Sequence, residues 1–292
     1  MRSLGLLLCL AALQSTALAA CQTGLAERLH AKLNLQRPLL HELTVCEPWR
    51  VHLGRSIVVL TMPGRAPDTL DLEVLVVQQP DNGNSERAGV LAKPRQSEPT
   101  AGAHGLAVTQ NELDAARYRL SSDLRSFGLR ITRRSAAMQQ PASSETLSLF
   151  ALAPHNRLEL LLDELETRRE RGQWSAGCAG RFEKHESQVA VSHATASRGL
   201  ADLRVSRTDW RSVNELQGED CVESSERPRY SEGRLRFDGS QYRSADSARR
   251  LRRAGPPRGR AACRSASGAR CPPRRAPWSP GWPRADCRRW PR

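Results

Sequence analysis

The chain has 292 residues, with 45 Lys and Arg against 31 Asp and Glu, a formal net charge of +14 at pH 7. Divided along the chain, that charge moves to one end. Residues 249–292 hold 14 arginines and one acid, Asp286, while residues 3–248 hold 30 bases and 30 acids. A neutral body weighs against a folded nucleic-acid-binding domain, whose basic patch would sit on the folded part, and a single long apolar run excludes a multi-span membrane protein.

Residues 1–20 have the layout of a secretory signal. Arg2 is a short positive region, residues 4–13 are apolar but for Gly5, and Ala17-Leu18-Ala19-Ala20 supplies small residues. Two processing routes fit. Ala17-Leu18-Ala19 permits cleavage before Ala20. Leu18-Ala19-Ala20-Cys21 resembles a bacterial lipobox, which would make Cys21 a lipidated N-terminus. Against a lipid stands the absence of a polar tether, because Leu25, Leu29 and Leu33 open a helical apolar stripe almost at once, with Glu27 and Arg28 on its other side. The alternative role for Cys21 is a disulfide.

The body keeps Cys21, Cys46, Cys178 and Cys221. In an exported chain such cysteines are expected to pair, and proximity favours Cys21 with Cys46 and Cys178 with Cys221. No short CxxC or HxxxH spacing is present, so no metal site is expected.

From residue 56 the pattern becomes that of strands. Residues 56–62 carry Ile57, Val58, Val59 and Leu60, and residues 70–78 alternate before turning wholly apolar over residues 74–77. A turn cluster follows from Gln79 to Asn84, and residues 83–104 read as a long loop interrupted by Val90 and Leu91. Residues 117–121, 127–132 and 145–152 read as further strands. Residues 158–171 are ambiguous. Leu158, Leu161, Leu162 and Leu165 have helical spacing, Glu164 and Arg168 form an i,i+4 pair, and Leu158, Leu160 and Leu162 also alternate; local signals slightly favour a helix. Val189 with Val191 and Leu203 with Val205 alternate. Residues 233–243 form the clearest local unit, a hairpin turning at Asp238-Gly239 with Tyr242 on the return strand.

The motif search is empty: no GxSxG, P-loop, GxGxxG or HExxH occurs. His185 and His193 flank an expected hairpin and read as exposed polar residues. Asp81-Asn82-Gly83-Asn84 with Glu86 offers oxygen ligands but not the order of a calcium loop, and reads as a turn. The acid pairs Glu164/Glu166 and Glu183/Glu186 invite a glycosidase reading, yet Glu164 and Glu166 are expected to face solvent or pair with Arg168. Trp174, near Cys178, is expected to pack on its disulfide rather than to serve as a sugar platform.

The tail has Leu251 as its one member of the Val, Ile, Leu, Met, Phe and Tyr set, with eight prolines and no lysine. Disorder is expected because no core can form. Its composition is that of a GC-rich gene read out of frame, which is favoured over a Pro/Arg-rich linker or a polyanion-binding arm using Arg249, Arg250, Arg252 and Arg253.

Three fragments resemble a loosely defined group of exported β-rich proteins of unknown function from GC-rich bacteria. They are Thr44-Val45-Cys46-Glu47-Pro48-Trp49, then Tyr118-Arg119-Leu120 with Phe127-Gly128-Leu129-Arg130, then Gly199-Leu200-Ala201-Asp202-Leu203 with Leu235-Arg236-Phe237-Asp238-Gly239. The resemblance implies secretion and a β-rich fold, and no activity.

The expected organisation is a signal peptide (1–20), an N-terminal helix and connection (21–55), a β-rich body (56–243; one domain, or two split near 105) and a disordered tail (244–292). The expected fold is mainly β, an antiparallel sandwich, barrel or partial propeller. The expected function is that of an exported envelope protein, periplasmic or lipid-anchored, serving as a binding or structural module, with no catalytic residue, cofactor or metal and an unknown envelope component as partner. Alternatives are an envelope hydrolase with a dispersed site, or polyanion binding through the tail, the one route to nonspecific nucleic-acid contact.

Overall fold

The computed structural model describes residues 24–65, 69–80, 85–94, 100–101, 105–175 and 177–244, all within the first of two units of the chain. One helix, α1 (Leu25–Lys32), precedes the strands β1 (Val45–Pro48), β2 (Arg55–Pro63), β3 (Thr69–Gln78), β4 (Gly89–Ala92) and β5 (Thr100–Ala101). These strands form a five-stranded antiparallel sheet. The second sheet is built from β6 (Ala107–Arg119), β7 (Arg125–Arg134), β8 (Ala142–Ala153), β9 (Arg157–Trp174), β10 (Gly180–Ser197), β11 (Leu200–Gln217), β12 (Asp220–Ser225), β13 (Arg229–Phe237) and β14 (Tyr242–Ser244).

The unbroken apolar runs of β2 and β3 follow from their place in the middle of a layered stack. Successive side chains point to opposite faces, and here both faces are covered. Ile57, Val59, Val74 and Val76 meet Phe127, Leu129, Ile131 and Phe150 of the second sheet. Val58, Leu60, Leu75 and Val77 meet Leu25, Ala26 and Leu29 of α1. Asn111 ties the two sheets with polar contacts, its buried side-chain amide donating to the Leu43 carbonyl at 2.8 Å and to Thr61 Oγ1 at 3.1 Å.

The second sheet also rolls on itself. Its other face gathers Leu147, Leu149, Leu161 and Leu162 against Leu203, Leu235 and Tyr242. The Ala201 amide donates to the Leu120 carbonyl at 2.7 Å, and the Tyr242 hydroxyl donates to the Ala201 carbonyl at 2.6 Å. The roll does not close: among the described residues the ladder ends at β6 on one side and β14 on the other. The architecture is therefore sandwich-like, with no closed barrel among the described residues.

The helix expected over residues 158–171 is a strand instead. β9 carries one residue more than β8 at three places, because Phe150 faces Leu160 but Leu149 faces Leu162, Leu147 faces Leu165, and Thr146 faces Glu166 while Glu145 faces Arg168. Each bulge resets the alternation. Leu158 and Leu160 thus point to the inter-sheet core, and Leu161, Leu162 and Leu165 to the rolled core. Bulges in a strand have imitated helical spacing.

β9, β10 and β11 have 18 residues each, about 60 Å at the usual rise. Their distal ends outrun both cores and form an exposed blade with β12 and β13. At its tip Cys178 and Cys221 form a disulfide, with Cα atoms 6.0 Å apart. Such a bond is compatible with an oxidising compartment. The hairpin expected at Asp238-Gly239 is present. Asp238 Oδ1 accepts from the Ser240 and Gln241 amides, Gly239 has φ +109°, and Phe237 faces Tyr242. No helix among the described residues is long and apolar enough to cross a membrane.

Candidate functional site

The blade bears an open cleft of about 810 Å³ where its strands meet the ends of β7 and β8. Strand register puts Gly172, Phe182 and Ser212 in one row, and Glu170, Lys184 and Trp210 in the next, on the same face. Phe182 lies over two glycines. A Cβ placed on Gly172 would sit 2.6 Å from Phe182 Cε1, and one on Gly180 would sit 3.0 Å from both Phe182 Cε2 and Trp174 Cε3. The glycines leave room for the ring close to the sheet, an aromatic beside the bare backbone of its neighbours. Trp174 stands edge-on to it, with centroids 4.7 Å apart. Lys184 Nζ is 5.3 Å from the Trp210 ring centroid, within cation–π range.

Charge in the cleft is balanced. Its lining holds five cations (Arg134, Arg168, Arg171, Lys184, Arg211) and five carboxylates (Glu145, Glu170, Glu183, Glu223, Glu226). Several are paired with one another: Glu186, at the margin, is 2.8 Å from Lys184 and 3.4 Å from Arg168, and Glu183 is 3.1 Å from Arg211. The Lys184 ammonium, by hydrogen bonding, holds the Glu186 carboxyl below its ordinary pKa. Toward the body a second open recess of about 750 Å³ adjoins the cleft. There Arg130 bridges Glu145 at 2.8 Å and Asp114 at 3.3 Å, and the Tyr118 hydroxyl donates to Asp114 at 3.1 Å. Burial first, then the Asp114 charge, pushes the Tyr118 hydroxyl up to about 12.

His185 differs from its expected surface role. It lies within β10, as does exposed His193, rather than beside a hairpin turn, and it is 3% exposed with Nε2 3.0 Å from Glu166 Oε1. Burial lowers its pKa, the Arg207 charge adds to this, and Glu166 opposes both. Arg207 is itself held by Asp209, which faces His185 across the ladder.

The other expectations sort as follows. Glu164 pairs with Arg133, Glu166 with His185 and Arg169, and Arg168 turns to Glu186 rather than to Glu164. Trp174 is set against Phe182 and is 39% exposed, the aromatic contact that its sequence neighbour Cys178 did not suggest. Cys46 is buried and disulfide-bonded. Cys21, residues 81–84, the signal segment, and Arg249, Arg250, Arg252 and Arg253 lie outside the described residues. Among the described residues no group of three or more His, Cys, Asp or Glu is placed to hold a metal. The sequence assigns no role to Phe182, and Trp210 stands out only as one of the body's three tryptophans; the two glycines that frame Phe182, each two residues from an aromatic along its strand, were the available signal. No protein family, curated protein or solved structure matches the chain.

Proposed function

We propose that the chain is an exported cell-envelope protein that acts as a binding module, with the cleft around Phe182 and Trp210 as its binding face. The observation that carries this reading is the pair of half-buried aromatics, Phe182 and Trp210, brought onto one face of the blade and lining the same open cleft with paired charges beside them, an arrangement typical of ligand sites. The pairing of the nearby carboxylates favours binding over catalysis. A general acid or base needs a carboxyl free to exchange protons, and Glu183 and Glu186 each sit against a cation. The signal-like N-terminus and the Cys178–Cys221 disulfide support export.

The test is co-sedimentation of the full chain with isolated bacterial envelope, in salt high enough to screen the tail. Wild type is expected to sediment with the envelope and Phe182→Ala/Trp210→Ala to remain in solution. Equal sedimentation of the two proteins would contradict the reading.

A further inference from the structure

We infer that the ligand of this cleft is an uncharged carbohydrate chain. The inference rests on the binding-module reading and names its substrate class. Three features converge. First, Phe182 packs closely against Gly172 and Gly180, and Trp210 lies diagonally across the ladder on the same face. Phe182 and Trp210 both line the cleft, with the Lys184 ammonium over the Trp210 ring; aromatic rings attract weakly polarised C–H groups, and one side of a sugar ring offers such groups in a plane.

Second, the cleft carries five cations and five carboxylates. A site selecting an anionic polymer would carry surplus positive charge, and one selecting a cation would carry the reverse. A balanced lining gives no net attraction for a polyanion or a polycation.

Third, the lining is rich in hydroxyls, with Thr132, Ser143, Ser144 and Ser212 among the residues at the cleft. A hydroxyl both donates and accepts, and Glu and Arg side chains already oriented by each other offer fixed acceptors and donors. That is the complement of a ligand whose own polar groups are hydroxyls. The cleft has a volume of about 810 Å³, and a recess of about 750 Å³ adjoins it.

The alternative occupant is an extended peptide with balanced charge. Exposed backbone edges would favour it, but the platform lies on the sheet's face, where backbone groups are already paired in the ladder.

The experiment is titration calorimetry of the full chain with maltohexaose, N-acetylchitohexaose, and an unstructured peptide of equal Lys and Glu content. At least one of the two sugars is expected to bind, with Kd raised at least tenfold by Phe182→Ala and by Trp210→Ala. Leu53→Ser, at a surface residue far from the cleft in sequence and on the other sheet's side, is expected to leave binding unchanged. Binding of the peptide alone would overturn the carbohydrate assignment and leave the binding-module reading standing. Silence from all three probes, together with envelope co-sedimentation that needs Phe182, would likewise remove the carbohydrate alone. Silence together with co-sedimentation indifferent to Phe182 would remove both.

Discussion

Phe182 lies across Gly172, the residue directly opposite it on β9, so closely that a Cβ at 172 would stand 2.6 Å from the ring. In an unobstructed strand, Ala is preferred to Gly by about 0.5–1 kcal/mol. Here the sign reverses. Gly172→Ala is expected to cost on the order of 1–3 kcal/mol through overpacking. It should also alter the near-ultraviolet circular dichroism, because Trp174 is edge-on to the same ring. A stabilised variant with an unchanged aromatic signal would show that the ring does not rest on the glycine.

The buried His185 makes the blade sensitive to acid. Its folded-state pKa is lowered, by burial first and by Arg207 second. The fold therefore favours the neutral imidazole. The resulting stability is intact above the unfolded value of about 6.5 and is lost as pH falls from there through the lowered folded value. His185→Gln can still bond to Glu166 but cannot titrate. Denaturant midpoints measured between pH 7 and 5 are expected to fall for wild type and to stay flatter for the variant. Parallel curves would contradict this.

The tip disulfide joins cysteines 43 positions apart. Closing such a loop is worth ~4 kcal/mol in the chain-entropy account. Cys178→Ser/Cys221→Ser is expected to lose part or all of that and to raise hydrogen exchange in the distal parts of β10, β11 and β12. Those residues are largely exposed and have little core to hold them. Exchange that rises uniformly across both sheets would place the effect elsewhere.

Both faces of β2 are buried, so neighbouring residues should matter alike. Ile57→Ala opens the inter-sheet core and Leu60→Ala the core under α1. Each is expected to cost about 2–5 kcal/mol by urea denaturation. A negligible cost at Leu60 would mean that α1 does not cover the sheet.

What could be read from sequence followed local rules closely. The apolar runs of β2 and β3 and the Asp238-Gly239 hairpin needed only alternation and turn chemistry, and α1 needed only the spacing of Leu25 and Leu29. Residues 158–171 defeated the same reasoning because three bulges in β9 broke the two-residue period, and only the ladder with β8 reveals them. The site was less legible for a related reason. Gly172, Phe182 and Trp210 are far apart in the chain and meet through register between β9, β10 and β11. His185 looked polar and exposed until Glu166 and Arg207 were placed around it. Arg168 had two candidate carboxylates by spacing, and the fold gave it Glu186.

The central claim is that the Phe182 and Trp210 face receives a ligand, and fluorine resonance of 5-fluorotryptophan-labelled protein tests it most directly. Trp49 is buried in the inter-sheet core, whereas Trp174 and Trp210 stand on the blade face. On titration with solubilised bacterial envelope, the account predicts a saturable shift of the Trp210 signal, assigned by Trp210→Phe, with Trp49 unmoved. A Trp210 signal that stays fixed while the envelope material binds elsewhere would contradict it.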